Sequence, residues 1–185
     1  MKRLKFILSC AATLATPLFV FGGRQDEAKP KKRSKGFLIK ANESRFNEKL
    51  ISGKNQNDLK VSSTDTSGDL TIFEYTGNDK GGPPLHIHFK QDEVFYILEG
   101  EYLFQVGDEK FNAKSGDTVF APRQVPHAFA QISNRGKMFY LFQPSGKMED
   151  FFRKLAAVSG ILTPEQGAKI FAEHDMKVVG PPLQF

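Results

Sequence analysis

From residue 58 to residue 143 the chain is a succession of short apolar-rich segments, set apart by turn residues at roughly ten-residue intervals, with no helical period between them. Strands this short and this evenly spaced specify an antiparallel sandwich or barrel. The segments read as strands are 58–62, 70–75, 85–88, 93–98, 102–106, 117–121, 127–132 and 138–143. Glu99-Gly100 and Gly107-Asp108 separate strands in hairpin fashion, and residues 77–82 form a loop. A further short strand is expected at 36–39. The sequence has 18 Phe and no Trp, which suits an aromatic-rich β core. It shows no internal repeat, so one barrel is expected rather than two.

Two helices follow the strands. Met148, Phe151, Phe152 and Leu155 fall at i, i+3, i+4 and i+7, an amphipathic stripe expected to pack on the outside of the barrel. Thr163-Pro164-Glu165-Gln166 supplies an N-cap, a proline at the first helical position and a capping-box glutamine, and the helix it opens should run to about Glu173. Gly180-Pro181-Pro182 is expected to end regular structure, and His174 is expected at the surface. The barrel is therefore assigned to residues 36–147, and the helices with the tail to 148–185.

The N-terminus reads as an export signal over residues 1–23. Met1 to Lys5 is a basic start, and Phe6 to Phe21 is an apolar stretch broken by Pro17, too short for a stable membrane span. Cys10, the one cysteine, follows Ile7-Leu8-Ser9 in a weak lipoprotein-like context, but the apolar stretch before it is very short, and a lipid-anchored form is the lesser expectation. Removal of the signal would leave a protein without thiols, exported to the periplasm or the extracellular space. Residues 24–35 carry six basic and two acidic groups and read as a charged linker. With Lys2, Arg3 and Lys5 they hold more than the whole net charge of +5, so residues 36–185 are net −2. A slightly acidic domain speaks against nucleic-acid binding, which needs a basic face on the domain itself.

Two of the four histidines stand one residue apart in Pro83-Pro84-Leu85-His86-Ile87-His88, five residues before Glu93. The prolines disfavour helix and favour extended backbone. A strand turns alternate side chains to one face, so His86 and His88 point together with Ile87 behind them. Glu93 opens the next strand and can come alongside. His127 begins a later strand, after Pro122-Arg123-Gln124-Val125-Pro126. Two imidazoles and a carboxylate with open positions suit a non-haem transition metal, and a third imidazole can add to them.

These two segments resemble the paired motifs of the cupin superfamily. In the first, His86-x-His88, four residues, Glu93, six residues and Gly100 match, while the leading glycine is displaced by one, with Lys80 in its place and Gly81 next. In the second, Gly116, five residues, Pro122 and His127 match, while Gln124 replaces a glycine and Gln131 an asparagine. The stretches at residues 81–86 (GGPPLH) and 146–152 (GKMEDFF) extend the similarity to single-domain, quercetin 2,3-dioxygenase-like cupins. The resemblance implies an all-β double-stranded β-helix, a jelly-roll barrel of two sheets with two short C-terminal helices. It also implies one divalent transition metal (Fe, Mn, Ni, Co, Cu or Zn) held by His86, His88, Glu93 and His127. Strand alternation then puts Phe95 and Ile97 on the face of Glu93, and Phe129 and Gln131 on that of His127, as candidate pocket lining.

The function expected from this resemblance is a metal-dependent dioxygenase acting on an aromatic or enolic hydroxy compound of flavonol type, with Glu93 as catalytic base as well as ligand. The alternatives are a cupin isomerase or lyase and a non-catalytic module that binds metal and a small ligand. The partner is a small molecule, and a homodimer is expected through an outer sheet face bearing Tyr96 and Leu98.

Overall fold

The computed structural model describes residues 35–185, so the export signal and nearly all of the charged linker lie outside the described residues. Eleven strands and three helices follow in order: β1 (Leu50–Ser52), β2 (Asn55–Val61), α1 (Ser63–Thr66), β3 (Thr71–Gly77), β4 (Pro84–His88), β5 (Asp92–Glu99), β6 (Glu101–Val106), β7 (Glu109–Lys114), β8 (Thr118–Ala121), β9 (His127–Gln131), β10 (Gly136–Gln143), α2 (Met148–Ala156), α3 (Pro164–Glu173) and β11 (Met176–Pro182). They build two sheets, in the orders β1-β2-β3-β10-β5-β8 and β11-β4-β9-β6-β7, and every pairing is antiparallel. This is the cupin fold: mostly β, with two antiparallel sheets face to face. No helix among the described residues is long and apolar enough to cross a membrane.

Alternation decides which residues meet between the sheets. Along β5, Glu93, Phe95 and Ile97 are buried while Tyr96 between them is 44% exposed. Along β10, Met138, Tyr140 and Phe142 are buried. Register places Tyr140 opposite Phe95 on one side and Phe73 on the other. The rings interlock: Phe73 stacks on Tyr140 with centroids 5.6 Å apart, and Phe95 meets Phe104 edge-on at 5.1 Å. Pairs of this kind add about 0.5–1.5 kcal/mol each beyond simple area burial.

Several expectations give way here. Residues 36–39 form no strand. Phe37 instead lies beneath the Arg45 guanidinium, 4.2 Å from it, and the first strand begins at Leu50. Strand β7 carries the sequence Glu-Lys-Phe-Asn-Ala-Lys and buries only Ala113, so it offers no apolar alternation to read; its pairing with β6 makes it a strand. The tail does not end regular structure at Gly180-Pro181-Pro182, because β11 runs through it and pairs with β4. Proline is tolerated there because β11 is an edge strand with one side free of partners. The barrel's second sheet therefore reaches beyond residue 147. His174 is buried, its Nδ1 2.6 Å from the Ile170 carbonyl and its ring edge-on to Phe151.

Helix α2 does not pack on the outside. Phe152 lies 4.7 Å from Phe73 and 5.5 Å from Tyr140, rings that face between the sheets, and Phe151 meets Phe171 of α3 edge-on at 4.9 Å. A buried acid fastens this helix. Glu149 accepts hydrogen bonds from the Ser62 hydroxyl (3.1 Å), the Ser63 backbone N–H and the Thr71 hydroxyl (3.4 Å), and pairs with Arg153 at 3.2 Å. The Ser63 N–H belongs to the first turn of α1, where no intrahelical acceptor exists, so Glu149 caps one helix from the body of another.

Candidate metal centre

Strand β4 presents His86 and His88 to the interior, and β9 presents His127 directly opposite His86 in register. Glu93 arrives from β5, in the other sheet. All four side chains are buried, at 6%, 1%, 6% and 2% exposure for His86, His88, Glu93 and His127. Each offers one ligand atom, and these four atoms lie within 4.8 Å of one another. His86 Nε2 is 3.2 Å from His88 Nε2, and Glu93 Oε2 is 3.0 Å from His127 Nε2 and 3.4 Å from His88 Nε2.

The backbone sets the tautomers. His86 Nδ1 donates to the Pro84 carbonyl at 2.8 Å, and His127 Nδ1 donates to the Val125 carbonyl at 3.1 Å. A neutral ring that gives its proton on Nδ1 presents a lone pair on Nε2. The centre therefore gathers nitrogen lone pairs and a carboxylate, an arrangement that repels itself without a cation. Ligand atoms about 2.1 Å from one ion, at angles of 90–109°, stand about 3.0–3.4 Å apart. The three separations above match that spacing, so the residues present fit one divalent transition metal. The Nδ1–carbonyl bonds are the outer support that metal-binding imidazoles use to hold their orientation.

Burial pushes the His86 ring well below the usual imidazole range, and His127 and His88 beside it push the same way, so His86 is neutral. Burial pushes the Glu93 carboxyl up, but the facing His127 and His88 nitrogens, when a proton stands between them and the carboxylate in the place of a metal ion, more than reverse this and hold it at about 2. Glu93 is thus an anion across the neutral range, as a ligand must be.

The centre opens onto a cavity of about 790 Å³. His86, His88 and Glu93 reach its wall, together with Phe95 and Phe129. Ile97 and Gln131 do not line it. Ile97 is fully buried in the core one alternation further from the ligands, and Gln131 turns its amide to the carbonyls of Gly77 (3.4 Å) and Ser133 (3.1 Å). Lining that sequence reasoning missed comes from β2, β3, β10 and the helices: Asn57, Tyr75, Tyr140, Phe142, Phe151, Phe152 and Phe171. Phe171 lies edge-on to His86 at 5.1 Å, and Phe142 lies 5.3 Å from His88. The stripe on α2 was visible as a stripe, but nothing in it says which surface it meets. Gln124, in the place of a motif glycine, takes φ 65°, the left-handed backbone that explains a glycine there; its N–H donates to the His88 carbonyl at 2.7 Å.

Residues 72–142 match the family model described as a cupin domain. An uncharacterized protein of Methanocaldococcus jannaschii, MJ1618, is 44% identical over 50 residues, covering 27% of this chain and 40% of that protein. An uncharacterized protein of Streptomyces coelicolor, SCO3923, is 33% identical over 54 residues, covering 29% of this chain and 51% of that protein. The chain thus spans about half, or less, of the length of the curated relatives it matches. Among solved structures, an RmlC-like cupin from Shewanella frigidimarina superposes with a TM-score of 0.52 at 22% identity, over 65% of this chain and 99% of that one, a likeness of fold. Residues 72–142 therefore resemble a cupin domain, and the two-sheet fold around them agrees.

Proposed function

We propose that the protein is a metal-dependent dioxygenase of the quercetin 2,3-dioxygenase-like kind, acting on an aromatic or enolic hydroxy compound. The observation that carries the reading is the company the ligands keep: a four-residue metal centre on the wall of a roomy cavity, surrounded by phenylalanine rings. Flat aromatic ligands suit such walls. A bound divalent ion supplies Lewis acidity at a substrate oxygen and, when redox-active, a route for electrons to dioxygen. The chain supplies the rest. Phe95, Phe129, Phe142 and Phe171 orient a ring so that its hydroxyl faces the ligands and exclude water from that end. Glu93 takes the hydroxyl proton on its carboxylate. Asp79, the other carboxylate on the cavity wall among the described residues, pairs with Lys54 at 3.4 Å and is more than half exposed, so it is not placed for this task.

Protein loaded in turn with Fe, Mn, Co, Ni, Cu or Zn, and offered flavonols and catechols, is expected to consume oxygen with at least one redox-active ion and not with zinc. Loss of uptake in Glu93→Ala is expected. Absence of uptake in every combination overturns the reading; a new product without oxygen use would indicate an isomerase or lyase, and binding without turnover a ligand-binding module. The proposal extends to an exported homodimer through the outer face of the first sheet, where Tyr96 is partly exposed and Leu98 half-buried. Its checks are the N-terminal sequence of the mature protein and light scattering.

A further inference from the structure

Away from the metal ligands, the polar lining of the cavity is exposed or half-buried, as at Ser52, Lys54, Asp79, Lys80 and Thr163, except at one buried place on the inner face of the first sheet. Asn57 on β2 is 93% buried, lines the cavity, and accepts a hydrogen bond from the Tyr140 hydroxyl on its Oδ1 at 2.6 Å. That bond fixes the side-chain amide and leaves Nδ2 without a protein acceptor among the described residues. Tyr75, directly opposite Asn57 in the strand pairing, lines the same cavity, and its buried hydroxyl has no hydrogen-bond partner. Burial and then Asp79 push that phenol up to about 12, so it keeps its proton and remains a donor at neutral pH. A buried donor left unmet costs about 1–3 kcal/mol, so the Tyr75 hydroxyl, with the unpaired Asn57 amide open to the same cavity, points to an occupant that meets them.

We infer that Asn57 and Tyr75 form a second recognition point, which selects ligands bearing an oxygen acceptor at the end remote from the metal-directed oxygen. Tyr140 is the positioning residue that orients the Asn57 amide. The inference rests on the proposed function in its choice of ligand: an aromatic compound of two or more linked rings, with oxygen at both ends. A ring with a single oxygen reaches the metal centre but leaves both donors unmet. Register separates the two points by four residues along the strands, since Tyr75 stands opposite Met138 while Phe142 stands opposite Glu93. That offset is about 14 Å along the strands, which calls for linked rings rather than one.

The test uses zinc-loaded full-length protein, which binds without turnover, and two probes: a flavonol with no further hydroxyl, and the same flavonol with one hydroxyl on its far ring. The quantity read by calorimetric titration is the ratio of their dissociation constants. The far-ring hydroxyl is expected to tighten binding at least about fivefold in the wild type, the worth of one net hydrogen bond. The ratio should fall toward one in Asn57→Asp, which keeps the acceptor for Tyr140 and removes the donor, and also in Tyr75→Phe. Tyr75→Phe removes a hydroxyl that bonds to nothing, so it folds at least as well as the wild type and decides the matter alone if Asn57→Asp does not fold. A wild-type ratio near one, or a ratio kept in either folded variant, overturns the inference. Oxygen uptake is measured separately, so a preference that persists without uptake would sink the dioxygenase reading and leave this one standing.

Discussion

Replacing Glu149 tests whether α2 is a fixed wall of the cavity. In Glu149→Ala the Ser63 N–H loses its acceptor, and the Ser62 hydroxyl loses one of its two. A buried donor left without a partner costs about 1–3 kcal/mol. Thr71 keeps its bond to the Val61 carbonyl at 2.9 Å and adds little, and Arg153 keeps Glu48 at 3.0 Å. The expected loss is therefore about 2–4 kcal/mol. In Glu149→Gln an amide oxygen can still accept from Ser62 and Ser63, and what goes is the charge, so a loss of about 1 kcal/mol is expected. Equilibrium urea unfolding reads both variants, as a lowered midpoint with an unchanged slope. The same perturbation frees the helix that lays Phe151 and Phe152 against the cavity, so flavonol affinity should drop with stability in the alanine variant and hold in the glutamine variant. If Glu149→Ala unfolds within about 0.5 kcal/mol of the wild type, the clamp has no energetic meaning and the placement of α2 has to come from ring packing alone.

Divalent metal is expected to raise the unfolding temperature: an ion held at 100 times its dissociation constant adds about 2.7 kcal/mol, or about 5–11 °C for a domain of this size. The rise should vanish in a His86→Ala, His127→Ala double variant, and a rise that survives there would place the ion elsewhere. Arg123 holds the Asp92 carboxyl down to about 2 from an ordinary 3.8. Between those values the unfolded chain binds a proton that the folded one refuses, so stability from this pair is present above pH 4 and is lost as pH falls toward 2. Asp92→Asn should accordingly cost less than about 1 kcal/mol at pH 7, since the pair is partly exposed, with the difference from wild type closing as acid is added; a difference independent of pH would refute the linkage. Phe171→Ala removes the ring edge-on to His86 and is expected to weaken flavonol binding while leaving metal stoichiometry at one ion per chain, measured by elemental analysis.

The cluster of candidate ligands was legible because its spacing is a local matter. Two histidines with one residue between them share a face of any strand, and the prolines ahead of them make a strand of that stretch. The core strands β3, β5, β6, β9 and β10 were legible for a different local reason: each is a short apolar-rich run set between turn residues. Strand β7 was not, because six mostly exposed residues make no such run, and β11 was not, because its Gly-Pro-Pro ending reads as a stop until an edge position is available to it.

What the sequence determined by itself was the identity and facing of the residues within each strand, since a period of two follows from backbone geometry alone. Only the folded chain decided which faces meet: that α2 turns its rings inward, that Glu149 caps a helix 86 residues away, and that Asn57 and Tyr75 share a cavity with His86. Those facts depend on contacts between segments far apart in the chain, and such contacts are chosen by the packing of the whole rather than by any stretch of it.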